Sequence, residues 1–235
     1  MRQLPLAVRL RDTALFSTFH PGPNAEVLAH LREIGATPAP VAWIWGPPAS
    51  GKTHLLQATC AATPGAAYLP AGELAELGPG ALQGWEGRPV VCLDDVDRFA
   101  GDDDWERALF VLFNGLAEAG GRLVVSARAS PAATPFRLPD LASRLAWGAV
   151  FRLEPLDDED RIRALRLRAG HRGLELPDET ARYLLRRLPR DMRGLCEWLD
   201  RLDVASLAAQ KRLTVPFVRE VLGAGEADLS GRAGA

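Results

Sequence analysis

Short apolar runs alternate with segments of helical periodicity through the first two thirds of the chain. The apolar runs cover residues 41–45, 66–70, 89–93, 122–127 and 149–153. The helical segments cover residues 24–34, 103–119 and 138–145, the first opened by Asn24 as a side-chain cap, and a further one follows the Gly-rich loop and runs to about residue 62. Because each apolar run is short and nearly continuous, it suits a strand buried on both faces. The alternation predicts an α/β fold, a five-stranded parallel sheet with helices on both sides.

The pattern changes after residue 154, where only helical periodicity remains. The later helical segments cover residues 157–172, 177–188, 190–210 and 214–222. In the first of them, four acidic residues precede five arginines, a polarity that suits the helix dipole and predicts a solvated helix rather than a contact surface. We therefore expect four regions. They are an extended arm at 1–11, an α/β domain at 12–154, a small all-helical lid domain at 155–222 and a disordered tail at 223–235.

Composition narrows the class of protein. Of 235 residues, 47% are hydrophobic and 25% are charged, a usual balance for a folded globular chain. The formal net charge of −2 argues against a general nucleic-acid binder, so any DNA contact is expected to be weak or indirect. Three scattered cysteines suit a reducing compartment. Without a signal peptide or an apolar run of about 18 residues, the sequence predicts a cytoplasmic protein that does not enter a membrane.

The segment GPPASGKT matches the phosphate-binding pattern G-x-x-x-x-G-K-[ST] at every fixed position. It lies between a predicted strand and a predicted helix, the context that such a loop needs, whereas a chance Gly/Pro-rich turn would not require it. Lys52 is expected to reach the β- and γ-phosphates of ADP or ATP, and the hydroxyl of Thr53 to ligate Mg²⁺. The predicted nucleotide-binding residues are Gly46, Pro47, Pro48, Ala49, Ser50, Gly51, Lys52, Thr53 and His54.

Polar side chains end two of the predicted strands. Asp94 and Asp95 follow the third strand, at the sheet edge where nucleotides bind in such folds. Asp94 is expected to hold Mg²⁺, directly or through water, while Asp95 either polarises an attacking water or caps the next loop. Ser126 ends the fourth strand, where its hydroxyl either senses the γ-phosphate or makes a turn.

The order of four motifs resembles the AAA+ nucleotide switches, and more narrowly the DnaA family of replication initiators. The motifs are GPPASGKT, the strand VCLDD, PDLASRLAWG at 139–148 and RDMRGL at 190–195. The resemblance covers about residues 12–222. Initiators of this family continue into a helix-turn-helix domain that reads DNA, whereas this sequence stops after the lid. The resemblance therefore implies an ATP-switch regulator of DnaA that lacks the DNA reader.

The resemblance also implies roles for two arginines. Arg144 would be an arginine finger that reaches the nucleotide of a neighbouring protomer and stabilises the transferring γ-phosphoryl group. From the residues alone, Arg144 is equally a surface arginine paired with Asp140, four residues earlier. Arg193 would contact the bound nucleotide and couple the lid to the nucleotide state, the alternative being ordinary helix-surface charge.

Residues Gln3 to Ala7 resemble the clamp-binding pattern Q-L-x-L-P of the same family, with Ala7 in place of the last proline. An extended peptide of this kind offers the amide of Gln3 for hydrogen bonding and places Leu4 and Leu6 in apolar pockets. Without the resemblance, an unstructured start with chance leucines is the favoured interpretation of the same residues.

The implied function is a regulator tethered to the DNA-loaded sliding clamp that stimulates ATP hydrolysis by DnaA through Arg144. Its own ATPase activity would be weak or absent. The rival interpretations are a stand-alone P-loop ATPase or phosphotransferase and a helicase loader. The sequence leaves open the resident nucleotide and whether the chain forms homo-oligomers.

Overall fold

The structure, a computed structural model, describes residues 14–232 of the chain and the side chains of residues 14–223. The chain divides into two compact units between Pro155 and Leu156. Within the described residues, no helix is both long enough and apolar enough to cross a bilayer.

The first unit is built on a five-stranded sheet in which all neighbouring strands are parallel. The strands are β1 (Val41–Trp45), β2 (Ala67–Pro70), β3 (Val90–Asp94), β4 (Arg122–Ala127) and β5 (Ala149–Arg152). Their order across the sheet is β2-β3-β4-β1-β5. Successive residues of β1 enter the apolar cores on opposite faces, Val41 and Trp43 on one and Ala42 and Ile44 on the other. The α/β fold with a five-stranded parallel sheet, predicted from the sequence, is confirmed.

Helices cover both faces of this sheet. They are α1 (Ala25–Arg32), α2 (Lys52–Ala62), α3 (Ala71–Leu74), α4 (Asp103–Glu118) and α5 (Pro139–Leu145). The side chain of Asp102 caps α4 by accepting bonds from the backbone N–H groups of Asp104 and Trp105, which explains why that helix begins where it does.

The sequence predicted that the side chain of Asn24 caps α1, and this prediction is wrong. The amide of Asn24 instead forms two bonds with the backbone of Glu154, donating to the carbonyl at 3.0 Å and accepting from the N–H at 2.8 Å. Because Asn24 is buried, this pairing satisfies its polar atoms and fixes the chain as it leaves β5.

The second unit is all helical. Its helices are α6 (Asp158–His171), α7 (Asp178–Arg187), α8 (Met192–Ala209) and α9 (Val215–Arg232). Asp157 and Asp191 cap α6 and α8 with their carboxylates. The arginine-rich α6 carries ion pairs such as Arg161–Asp158 and Arg163–Asp160, both at 2.7 Å, in keeping with a solvated helix.

The last helix differs from its predicted extent. The sequence predicted that the helix ends at residue 222 and that a disordered tail begins at 223, whereas α9 continues to Arg232. No proline interrupts residues 217–232, so the backbone hydrogen bonds can continue in spite of the glycines, each of which costs about 1 kcal/mol.

Candidate functional site

The loop between β1 and α2 has the backbone of an anion-binding turn. Ala49 and Gly51 have φ values of +59° and +102°, and left-handed residues in such loops let successive N–H groups converge on an anion. A Cβ on Gly51 would lie 2.9 Å from the ring of Phe19. Position 51 therefore requires glycine for both its conformation and its packing.

Lys52 places its ammonium group in the mouth of this loop. Its Nζ donates to the carbonyls of Gly46 and Pro47 at 2.8 and 2.9 Å. Burial lowers the pKa of Lys52, and the nearby Asp95, Asp94 and Asp97 oppose that shift in decreasing order. Lys52 is 8% exposed, and the carbonyls of its own loop hold its ammonium group in place. This positive charge is therefore positioned to bind phosphate oxygens.

Four more loop positions differ in exposure. Thr53 is exposed and Pro47 and Pro48 lie on the surface. The Oγ of Ser50 is buried and has no hydrogen-bond partner among the described residues. A buried hydroxyl without a partner in this loop is a further group that can bond a phosphate oxygen.

Asp94, at the end of β3, is bound on both sides by hydroxyl groups. Tyr68 donates to its Oδ2 at 2.7 Å, and Ser126 donates to its Oδ1. Burial and the neighbouring Asp94 raise the pKa of Tyr68 beyond its usual range, so the phenol stays protonated as a donor. Sequence analysis missed Tyr68, because its position beside Asp94 depends on the register between β2 and β3, in which Tyr68 lies opposite Cys92.

Ser126 connects the carboxylate of Asp94 to the backbone of Asp95. Its Oγ also accepts a 2.8 Å bond from the backbone N–H of Asp95, which has a left-handed φ of +58°. The Ser126 side chain is completely buried, and its hydroxyl is taken up by these bonds. The turn-forming interpretation of Ser126 fits this geometry. A contact with phosphate would require the Ser126 hydroxyl to give up one of its hydrogen bonds to Asp94 or Asp95.

Asp95 combines a left-handed backbone with a partly desolvated carboxyl group. Burial raises its pKa, and so do Asp94 and Asp97, while Arg98, 3.9 Å away, lowers it. A carboxyl with this pKa direction at the expected nucleotide edge is suited to accept a proton from water.

The ring of His54, which the sequence assigned to the nucleotide, is directed toward the segment that precedes α1. Its Nε2 lies 2.8 Å from the carbonyl of Leu15 and 3.3 Å from the hydroxyl of Thr18. The ring of Phe19 lies 5.5 Å from that of His54. Residues 15–19 thus contact His54 in the first turn of α2. No sequence motif predicted this contact.

Arg144 lies in α5 on an aromatic seat formed by Phe110, Phe113 and Trp147. Its guanidinium carbon is 5.1, 5.9 and 5.9 Å from the three ring centroids. Within residues 14–223, Arg144 makes no ion pair, so the alternative pairing with Asp140 is not observed. Trp147 is 70% exposed. Stacking on rings leaves the N–H groups of a guanidinium available to an anion.

Two features hold α5 in place, and the sequence analysis missed both. Glu106, which is fully buried, accepts bonds from the backbone N–H groups of Gly101, Arg137 and Leu138, two of them directly before α5. Gly148, after α5, lies so close to β1 that a Cβ would be 1.7 Å from the carbonyl oxygen of Val41. The glycine of the motif is therefore explained by close backbone packing.

Comparison with known proteins adds the family context. Residues 158–222 match the family model described as "Hda, lid domain". Domain III of the replication initiation protein DnaA from Thermotoga maritima superposes with a TM-score of 0.76 at 23% identity, covering 92% of this chain and 98% of that one. AMPPCP-bound DnaA from Aquifex aeolicus gives 0.65 at 22% identity, over 82% of this chain and 67% of that one.

Residues 158–222 thus match the Hda lid family, and the chain has the fold of DnaA domain III. The predicted resemblance is therefore confirmed at the level of fold and lid family. The RuvB Holliday junction branch migration motor of Thermotoga maritima shares the fold with a TM-score of 0.57 at 14% identity, over 89% of this chain and 73% of that one. In the α/β fold of this chain, Gly46–Thr53, Asp94 and Asp95 lie at the carboxyl ends of β1 and β3.

The remaining predicted residues belong to the second unit or fall outside the described residues. Arg193 occupies the first turn of α8 in the lid and is exposed; its contact with a nucleotide stays a prediction. Gln3, Leu4 and Leu6 fall outside residues 14–232, and the clamp-binding interpretation stays a prediction as well.

Proposed function

We propose that this DnaA-like AAA+ protein is a nucleotide-binding regulator of replication initiation that promotes ATP hydrolysis by DnaA. The observation that carries the proposal is the state of Arg144. Its guanidinium rests on three rings and is not neutralised by any carboxylate among the described residues. An arginine that its own fold does not use for an ion pair is suited to stabilise charge on another molecule.

The resident cofactor is ADP or ATP. Lys52, the left-handed loop backbone and the unpartnered Oγ of Ser50 fit phosphate oxygens, and the similar DnaA of Aquifex aeolicus is AMPPCP-bound. Mg²⁺ bound with the nucleotide neutralises charge on the phosphate oxygens. The exposed Thr53 fits direct ligation, whereas Asp94, 5% exposed and bonded on both oxygens, fits better through a water molecule.

The chemistry takes place in the partner. Arg144 would extend from its aromatic seat to the γ-phosphate of ATP held by DnaA, where a positive charge in trans is worth about 10³–10⁵ in rate in other nucleotide hydrolases. The chain's own nucleotide would serve to hold its conformation. The arm at Gln3, Leu4 and Leu6 would tether it to the sliding clamp by inserting alternate side chains into pockets.

The test is ATP hydrolysis by DnaA with this protein and DNA-loaded clamp, each component omitted in turn. Arg144→Ala is expected to abolish the stimulation while the affinity of this chain for ADP stays the same. The control is Arg88→Ala, because Arg88 is a surface arginine that also lies over a ring, that of Trp85 at 5.7 Å. Equal stimulation by Arg144→Ala and the parent protein would contradict the proposal.

The rival functions give different outcomes in the same assay. A stand-alone ATPase or phosphotransferase turns over ATP without DnaA, and a helicase loader leaves the hydrolysis by DnaA unchanged. Deletion of residues 2–7 is expected to abolish retention on the clamp and to leave ADP affinity unchanged. Retention of the truncated protein would remove the tether from the proposal without affecting the role of Arg144.

A further inference from the structure

A cavity in the helical lid combines aromatic walls with positive charge. Its volume is about 190 Å³. It is lined by two rings, two leucines and two guanidinium groups, those of Tyr183, Trp198, Leu188, Leu222, Arg187 and Arg219. The side chains come from α7, α8 and α9, and none of the lining residues is acidic. The cavity is thus lined by both apolar side chains and positive charge.

The arginines of this cavity are not neutralised by the lid. Arg187 lies over the ring of Tyr183 at 5.8 Å, and Arg201, which does not itself line the cavity, lies over that of Trp198 at 4.8 Å. Within residues 14–223, neither these two arginines nor Arg219 forms an ion pair. Elsewhere in the lid, ion pairs to carboxylates are made by Arg161, Arg163, Arg166, Arg172, Arg182 and Arg190. Like charges that gather without a counter-charge repel each other, and an anion would relieve that repulsion.

We propose that this lid cavity, formed by Tyr183, Arg187, Trp198 and Arg219, binds an acidic segment of a partner protein. One carboxylate side chain fits the volume and can accept bidentate bonds from a guanidinium. A neighbouring apolar side chain would contact Leu188 and Leu222 on the wall. The proposal does not depend on the function proposed for Arg144, because no residue of the nucleotide site lines the cavity.

The chemistry favours a carboxylate over nucleic acid. Single-stranded nucleic acid binds where bases can stack on free aromatic faces, whereas guanidinium groups already lie over Tyr183 and Trp198. The formal charge of the chain is −2, and a protein of this charge lacks the basic excess that nucleic-acid binding usually needs.

The experiment follows the indole N–H signal of Trp198 by NMR in the full chain. The chain has six tryptophans, so Trp198→Phe identifies the signal. The probe is an acetylated and amidated peptide of sequence EDLDE, and the neutral peptide QNLNQ is its control. The EDLDE peptide is expected to shift the Trp198 signal in a saturable way, more weakly as salt is added because ion pairs are screened. The QNLNQ peptide is expected to leave the signal in place.

Matched variants assign the effect to the cavity. Arg187→Gln and Arg219→Gln, each at an exposed position, are expected to weaken binding of EDLDE at least about tenfold. Arg212→Gln is the control, since Arg212 is an exposed lid arginine that does not line the cavity, and it is expected to bind within about twofold of the parent. Melting temperatures verify that each variant is folded.

Three results would overturn the proposal. The first is a Trp198 signal that EDLDE does not move. The second is a loss of binding in Arg212→Gln as large as that in Arg219→Gln. The third is a ten-nucleotide oligothymidylate that moves the Trp198 signal at lower concentration than EDLDE does, which would assign the cavity to nucleic acid.

Discussion

The hydroxyl of Tyr68 donates a 2.7 Å hydrogen bond to Oδ2 of Asp94, while the hydroxyl of Ser126 donates to Oδ1 of the same carboxylate. Asp94 is therefore held in one orientation by side chains from the strand that precedes it in the sequence and the strand that follows it. The carboxylate at this edge of the sheet does not need a nucleotide to fix its position.

Tyr68→Phe removes one of these donors and leaves a buried carboxylate oxygen short of a partner. The free energy of unfolding is expected to fall by about 1–3 kcal/mol, measured by urea denaturation. Tyr183→Phe is the control, because the hydroxyl of Tyr183 forms no hydrogen bond among the described residues; its cost is expected to stay within about 0.5 kcal/mol. Equal losses in the two variants would show that the bond to Asp94 adds nothing.

Asp95→Asn tests the raised pKa of Asp95 through stability. In the folded state, the pKa of the Asp95 carboxyl is raised above its ordinary value of 3.8. The folded state therefore binds more protons than the unfolded state just above that pH, and the free energy of unfolding falls as pH rises through this range. Asn cannot ionise and tolerates a left-handed φ. The advantage of Asp95→Asn over the parent is expected to grow from about pH 4 and then to level off.

The measurement is urea denaturation at a series of pH values. Asp104→Asn serves as the control, since Asp104 is 79% exposed and pairs only with Arg107 at the surface. An advantage of Asp95→Asn that shrinks as pH rises would contradict the direction of the pKa shift.

Ala49→Gly is expected to stabilise the protein by about 1 kcal/mol, because Ala49 has a φ of +59°, at which a Cβ is strained. Ala61→Gly, at an exposed position inside α2, is expected to cost about 1 kcal/mol. Thermal unfolding of both variants compares the two signs directly. A loss of stability in both would mean that the loop carries no strain at position 49.

Glu106→Gln replaces an acceptor of three backbone N–H groups by an amide that cannot accept with both atoms. Stability is expected to fall by about 1–3 kcal/mol, and the stimulation of DnaA is expected to fall with it, because α5 carries Arg144. Both are measured at a temperature where the variant is folded. Glu118→Gln, exposed at the end of the same helix, should change neither quantity.

Trp147→Ala removes the exposed ring of the Arg144 seat. The stimulation of DnaA is expected to fall about two- to fivefold, the worth of an exposed cation–π contact, with a small change in melting temperature. Trp147→Phe should restore most of it. Leu77→Ala, at another exposed apolar side chain, is expected to have no effect, and a loss as large as that of Trp147→Ala would argue against a specific role for the ring.

The sheet and the phosphate loop could be predicted because their signals are local. Each strand is one apolar run, and the loop is a motif of eight consecutive residues with a strand before it and a helix after it. The start of α4 likewise lies at the predicted residue 103. Hydrophobic period and cap chemistry act within a few residues, and this is the range that a single sequence reveals.

The supports of the site could not be predicted, because their partners are distant in the chain. Tyr68 meets Asp94 across 26 residues, Glu106 meets Leu138 across 32, and Asn24 meets Glu154 across 130. Such pairs follow from strand register and loop packing, which are set only when the whole unit has formed.

A Cβ at position 148 would lie 1.7 Å from the carbonyl oxygen of Val41, and this has a consequence for inherited substitutions of Gly148. Any side chain at that glycine forces β1 away from the chain that follows α5, so the folded population shrinks before any reaction is affected. Cells clear partly unfolded chains. A lineage that acquires such a substitution would therefore show a shortage of the protein itself, and its phenotype would resemble deletion of the gene rather than a defect in one chemical step.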